Sequence, residues 1–139
     1  MQIDIKQLKS GDEAVFDRVA AEVFDEPIDA ARLAAYLADP RHHMFVAVAN
    51  GEVVGQVAAV MYRHPDKPAE LFIDEVGVAP AWRRKGIARK LLDEVLALGK
   101  ALGCEEAWVG TEMDNLPARA LYESYGVPGG RFVMYTFDL

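Results

Sequence analysis

Hydrophobic positions change period several times along the chain, and each change marks an element. From Gln2 to Leu8, Ile3 and Ile5 alternate with polar neighbours, which predicts a short strand. Ser10-Gly11-Asp12-Glu13 then offers a cap and an acidic first turn, and Val15, Phe16, Val19, Ala20 and Val23 recur at helical spacing, predicting a first helix. Pro27 opens a second helix carrying Ile28, Ala31, Leu33 and Leu37, which Asp39-Pro40 stops. Met44 to Ala49 and Val53 to Tyr62 are β-rich runs joined through Asn50-Gly51, a strong hairpin signal, so they are expected to pair antiparallel. After the polar turn from His64 to Pro68, Leu71 to Val78 forms a further sheet element that Pro80 ends. Lys85 to Leu102 is the longest periodic segment, with Ile87, Leu91, Leu92, Val95, Leu98 and Leu102 on one face and Gly103 as its stop. Glu106 to Gly110 reads as a strand, Asn115 to Tyr125 as a helix ended by Gly126, and Arg131 to Phe137 as a final strand. The order β-α-α-β-β-β-α-β-α-β joins an antiparallel meander to a right-handed β-α-β crossover. It predicts an α+β fold, a sheet with helices on its faces.

Composition narrows this picture to a single domain over residues 1–139, because neither an internal repeat nor a Pro/Gly-rich linker divides the chain. With 15 Lys and Arg against 22 Asp and Glu the net charge is −7, which argues against a nucleic-acid binder and favours a small or cationic partner. A single cysteine, Cys104, excludes an intramolecular disulfide framework and a multi-thiolate metal site. The start, Met1-Gln2-Ile3-Asp4-Ile5-Lys6, lacks the pattern of a signal peptide, and no apolar run approaches the roughly 18 residues of a membrane span. The expected location is the cytoplasm, with no membrane partner.

The chemistry concentrates where a strand gives way to the long helix, in Glu75-Val76-Gly77-Val78-Ala79-Pro80-Ala81-Trp82-Arg83-Arg84-Lys85-Gly86-Ile87-Ala88-Arg89-Lys90. A helix N-terminus presents unpaired N–H groups and partial positive charge, so cations there cost about 0.3–1 kcal/mol each. Arg83, Arg84, Lys85 and Arg89 crowd that end all the same. A bound phosphate or pyrophosphate would make the crowding favourable, with Gly86 letting the backbone approach; a solvated basic turn is the alternative. Neither the Walker A loop nor the dinucleotide fingerprint is present.

The spacing Arg83-x-x-Gly86-x-Ala88 after the Val76-x-Val78 strand end resembles the acetyl-CoA motif of the GCN5-related N-acetyltransferases, the GNAT superfamily. Asn115-x-x-Ala118-x-x-Leu121-Tyr122-x-x-x-Gly126 is similar to the superfamily's second signature. The resemblance covers nearly the whole chain. It implies the GNAT fold: a mixed twisted sheet with an antiparallel N-terminal meander, splayed central parallel strands and about four flanking helices. It further implies acetyl-CoA as co-substrate, with pantetheine along the backbone of Val76, Gly77 and Val78 and the pyrophosphate on the amides from Arg84 through Lys85, Gly86, Ile87 and Ala88 to Arg89. A backbone N–H near Val76 would serve the acetyl oxygen. Tyr122 matches the family's general acid, the alternative being a tyrosine whose hydroxyl is merely satisfied. Asn115 matches a position that bonds the pantetheine arm, and it also reads as a helix N-cap.

For the amine, the candidates are Glu75, preferred as base or anchor, and Asp74. Adjacent strand residues face opposite sides, so only one is expected in the cleft; simple alternation groups Glu75 with Leu71 and Ile73, and a β-bulge would change that parity. A surface salt bridge is the alternative for the pair. Glu70-Leu71-Phe72-Ile73-Asp74-Glu75 and the ending Phe132-Val133-Met134-Tyr135-Thr136-Phe137-Asp138-Leu139 look most like the aminoglycoside 3-N-acetyltransferases. That branch implies a small, polycationic amine acceptor; an acetyltransferase for a protein N-terminus, a lysine or a polyamine, and a non-catalytic acyl-CoA sensor, are the competing readings. Residues 1–70 hold 12 acids against 7 bases, which would attract a polycation, and Asp25, Glu26 and Asp29 fall at the junction of the two predicted helices, which the resemblance implies is an acceptor wall. The resemblance also allows a homodimer. His42, His43 and His64 lack zinc-ligand spacing with Cys104, and no serine lies in a nucleophile elbow, so no metal or hydrolase chemistry is expected.

Overall fold

The computed structural model describes residues 2–139, so Met1, where the reading of a leaderless start begins, lies outside it. Five strands form one sheet in the order β1-β2-β3-β4-β5: β1 Asp4–Gln7, β2 His42–Ala49, β3 Glu52–Tyr62, β4 Glu70–Val78 and β5 Glu106–Val109. The first four pair antiparallel, and β5 joins β4 in parallel after the crossover through the long helix. The β2–β3 hairpin turns at Asn50 and Gly51, whose φ values of 53° and 73° give the doubly left-handed turn that matches strand twist.

Three α-helices flank the sheet: α1 Ala30–Ala38, α2 Ile87–Ala101 and α3 Leu116–Glu123, with short 3-10 turns at Glu13–Asp17 and Pro80–Trp82. Helix α2 buries Ile87, Leu91, Leu92 and Val95 against Phe45, Ala47, Val57, Leu71 and Ile73. At about 1.5–3 kcal/mol per buried aliphatic side chain, this contact is the main anchor of the domain. A second cluster, Leu8, Val23, Met44, Val46, Val53 and Ala58, covers the opposite face.

Two expected elements do not form. The predicted first helix is only the turn Glu13–Asp17, because the backbone beyond it pairs elsewhere: Val53 N donates to Arg18 O and Ala20 N to Val53 O, both at 2.9 Å. The helical spacing of Val19, Ala20 and Val23 instead serves a segment laid across the end of β3, and Val23 becomes core. The second helix starts later than Pro27, where Asp29 accepts a capping hydrogen bond from Arg32 N at 2.8 Å. The predicted strand from Arg131 to Phe137 has strand-like sequence but no ladder, since nothing in the single chain pairs with it.

Candidate active site

Parallel pairing between β4 and β5 runs from Glu70–Glu106 to Ile73–Val109 and stops. Beyond that point the edge of residues 74–78 is left without a strand partner, and a cleft opens where the two strands part. At the same point β4 carries a bulge. Ala58 pairs with Glu75 and Ala59 with Ile73, so Asp74 is the extra residue. The bulge resets the alternation: Leu71, Ile73, Val76 and Val78 face α2, whereas Glu75 shares the face of Ala58, opposite to that of Ile73. The bulge thus changes the parity that simple alternation would give, and puts Glu75 on the face where Tyr36 packs, a phenol that both carboxylates raise.

Their surroundings keep both acids reluctant to ionise. Burial, then Asp25 and Asp74, push the Glu75 carboxyl above its ordinary range, and a hydrogen bond from Gln56 opposes the rise. Asp74, exposed as a residue, is raised by desolvation of its carboxyl, opposed by a backbone hydrogen bond and by His42. Tyr36, half-buried, is pushed up by burial and then by both carboxylates, and its hydroxyl donates to His43 O at 3.2 Å. Gln56 is fully buried; its Nε2 donates to Val23 O at 3.3 Å and its Oε1 has no partner among the described residues. Sequence reading missed Gln56, Tyr36 and His42. A polar residue inside the apolar run Val53 to Tyr62 was the available signal for Gln56.

Gly77 has a structural reason to be glycine. A Cβ there would stand 2.4 Å from Val23 O, so the bare backbone admits the Val23–Asp25 segment that brings Asp25 toward Glu75. Of the expected acidic wall, Asp25 and Glu26 line a cavity of about 440 Å³, while Asp29 is committed to capping α1.

At the other end of the cleft, α2 begins with Gly86 in the left-handed region at φ 78°, without a side-chain cap and without an acidic residue in its first turn. Arg84 is also left-handed, at φ 61°. Left-handed residues flanking Lys85 fold the loop tightly just ahead of a helix N-terminus, where unpaired amides can receive an anion. Arg83 Nε donates to Val78 O at 3.1 Å, tying the basic loop to the strand end. Arg89 points elsewhere: its guanidinium donates to Ser124 Oγ at 2.6 Å and lies 4.3 Å from the Tyr125 ring centroid. Tyr125 donates to Asp93 Oδ1 at 2.7 Å, and burial with that bond pushes its phenol up to about 12. These contacts clamp α3 to α2 and thereby set Tyr122.

Tyr122 is half-buried and its phenol is raised by burial, which keeps the O–H as a donor; among the described residues it makes no hydrogen bond. Asn115 caps α3, its Oδ1 accepting from Ala118 N at 3.2 Å, which leaves its amide NH₂ free for another acceptor. A cavity of about 750 Å³ adjoins Tyr122 and the outer side of β5 rather than the basic loop. Among the described residues, no group of side chains is arranged to hold a metal ion, and no helix is long and apolar enough to cross a membrane.

The chain is similar to known proteins. The model of a family described as "Acetyltransferase (GNAT) family" matches residues 12–127. An uncharacterized N-acetyltransferase of Mycobacterium bovis is 31% identical over 113 residues, 81% of this chain and 70% of its own. An aminoglycoside N(6')-acetyltransferase type 1 of Stenotrophomonas maltophilia is 30% identical over 117 residues, 80% of this chain and 74% of its own. Among solved structures, an aminoglycoside acetyltransferase from an uncultured soil metagenomic sample superposes with TM-score 0.81 at 26% identity, covering 100% of this chain and 98% of that one. The aminoglycoside relative is thus named for the 6' amine, not for the 3 amine of the branch that the sequence resembles.

Proposed function

The chain belongs to the acetyltransferase (GNAT) family and is an acetyltransferase enzyme, and on that premise we propose that it acetylates a primary amine of a small polycationic acceptor of the aminoglycoside kind. The observation that carries this reading is the place where β4–β5 pairing ends: an open backbone edge at Val76–Val78, two ionisation-resistant carboxylates beside it, and an uncapped basic helix N-terminus beyond. The residues fit acetyl-CoA. In this reading the Val76–Val78 edge holds the pantetheine arm, the Asn115 amide supports it, and the amides from Arg84 to Arg89 hold the pyrophosphate, with Arg83, Arg84 and Lys85 adding charge. Bound there, acetyl-CoA supplies a thioester whose acetyl group moves to nitrogen.

Glu75 takes a proton from the acceptor's ammonium group, which makes the nitrogen lone pair available for attack. Its raised pKa brings it nearer to that of an amine and makes it a stronger base once ionised. Asp74 and Asp25 attract and orient the remaining positive charges. The Val76 N–H receives the oxygen on which negative charge develops. The Tyr122 O–H then protonates the departing sulfur as the carbon–sulfur bond breaks, a step suited to a phenol that burial keeps neutral, and the phenolate regains a proton from the acetylated nitrogen.

The test is CoA release with aminoglycosides, polyamines, amino acids and lysine peptides, against a control without acceptor, followed by mapping of the acetylated amine. Turnover confined to aminoglycosides is expected, and acetylation at the 3 or the 6' nitrogen assigns the branch. Turnover with peptides alone would replace the acceptor but keep the chemistry. Tyr122→Phe should lower kcat by about 100-fold with acetyl-CoA affinity retained; unchanged turnover would remove the general-acid role.

A further inference from the structure

Gln56 breaks the rule of its own strand. It is 0% exposed in the middle of a stretch buried from Val53 to Ala59, and among the described residues no other polar side chain is buried. Register sets its surroundings. Gln56 stands opposite Val46 on β2 and Gly77 on β4, while Ala58 stands opposite Glu75, so Gln56 and Glu75 are diagonal neighbours on the face away from α2. Gly77 puts no side chain between them, and Val23 O closes the space over it. Both hydrogens of the amide are spent there: Nε2 donates to Val23 O at 3.3 Å and to the Glu75 carboxylate. Turning the amide over would aim Oε1 at two acceptors, so the Val23 carbonyl decides which end meets Glu75. The cost of that orientation lies on the other side, where Oε1 is buried without a partner among the described residues. An apolar side chain would fill the place with no orphaned atom of its own, and local rules are broken this way where function requires it.

We propose that Gln56 is a positioning residue for Glu75: a donor locked in place by Val23 O, which holds the carboxylate ionised and fixes its direction. The inference deepens the reading of Glu75 as the base and rests on it. Each charged group acting on Glu75 disfavours its ionised form. Asp74 beside it on β4 and Asp25 on the segment after Val23 repel it, Tyr36 of α1 feels both β4 carboxylates, and His42 of β2 acts on Asp74. The Gln56 N–H is the one group among these that favours the carboxylate. A lysine or arginine at position 56 would favour it more strongly, but its charge would oppose a cationic acceptor. A neutral amide stabilises the ionised base and adds no positive charge to a site that receives one. Because the same amide holds Val23 O, the segment carrying Asp25 and the charge state of the base are tied through one side chain.

In the parent protein, NMR titration should show the Gln56 side-chain NH₂ resonances following the Glu75 carboxyl with the same midpoint. Gln56→Met keeps the length of the side chain and removes the amide. It should melt close to the parent, since it trades the orphaned Oε1 for an orphaned Val23 O, and it should move the Glu75 midpoint to higher pH. The acid limb of kcat/KM should move with it, giving about a tenfold deficit below the limb that narrows as pH rises. An amide silent through the Glu75 titration would overturn the proposal, whether or not Gln56→Met folds. So would an unmoved midpoint in Gln56→Met with kcat/KM lowered equally at every pH, the pattern of a merely structural contact. A midpoint that moves while the pH–rate limb stays would uphold the lock on Glu75 and overturn the reading of Glu75 as the base.

Discussion

Replacing Gly77 with alanine tests how the acceptor side is assembled. The added methyl would stand 2.4 Å from Val23 O, a backbone atom that cannot swing aside, whereas non-bonded carbons and oxygens settle beyond 3 Å. Either β4 or the Val23–Asp25 segment must therefore move by more than half an ångström. Overpacking of this kind costs about 1–3 kcal/mol. For a chain of this length, with an unfolding entropy of about 2.1 cal/mol/K per residue, that lowers Tm by about 3–10 °C. Moving the segment also loosens Gln56, which bonds both Val23 O and Glu75, and withdraws Asp25 from Glu75. The expected kinetic signature is a several-fold rise in KM for the amine, larger than the rise in KM for acetyl-CoA, whose pantetheine arm is proposed to lie on the same stretch of β4. Gly86→Ala is the control: nothing lies within 4 Å of the new Cβ, but φ is +78°, so its cost is conformational, about 1 kcal/mol, and its kinetic effect falls on acetyl-CoA. The reasoning is refuted if Gly77→Ala melts like the parent, or if it raises KM for acetyl-CoA more than KM for the amine.

Glu75 should show a trade between stability and activity. Its folded-state pKa is raised, so the protonated form is favoured by folding, and stability falls as pH climbs from the unfolded pKa through the folded one. Glu75→Gln should therefore raise Tm at neutral pH, a gain that vanishes in acid, while removing the pH-dependent limb of kcat/KM and lowering turnover; a parental pH–rate profile would exclude Glu75 as the base. Asp39 behaves oppositely, because Arg41 bonds it from Nε at 3.2 Å and Nη2 at 2.9 Å and holds its carboxyl down to about 2. Its contribution is present above the unfolded pKa and is lost as pH falls through about 2, so NMR titration of Arg41→Met should return it toward the ordinary range. Arg84→Ala with Lys85→Ala should raise KM for acetyl-CoA about tenfold, on the order of 1.4 kcal/mol, with kcat retained; an unchanged KM would leave the basic turn without a ligand.

Much of the architecture is local and was legible without coordinates. Helix α2 follows from an apolar stripe that has one sensible period, and the hairpin follows from Asn50-Gly51, whose two left-handed positions few other pairs accept. The Arg83-x-x-Gly86-x-Ala88 spacing announced the start of α2 for the same reason: a basic loop and a left-handed glycine are properties of neighbouring residues. What escaped depends on partners far along the chain. Val19, Ala20 and Val23 keep helical spacing, but hydrogen bonds between residues 18–20 and Val53 outweigh a helix that would satisfy the same groups locally. The bulge at Asp74 arises from the register between β3 and β4, and a shift of one residue turns Glu75 from α2 toward Tyr36 and Gln56. The tail marks the boundary between the two kinds of information. Its sequence determines a strand, but a strand exists only when a second backbone edge completes it, and tertiary structure alone shows that the single chain leaves that edge unused.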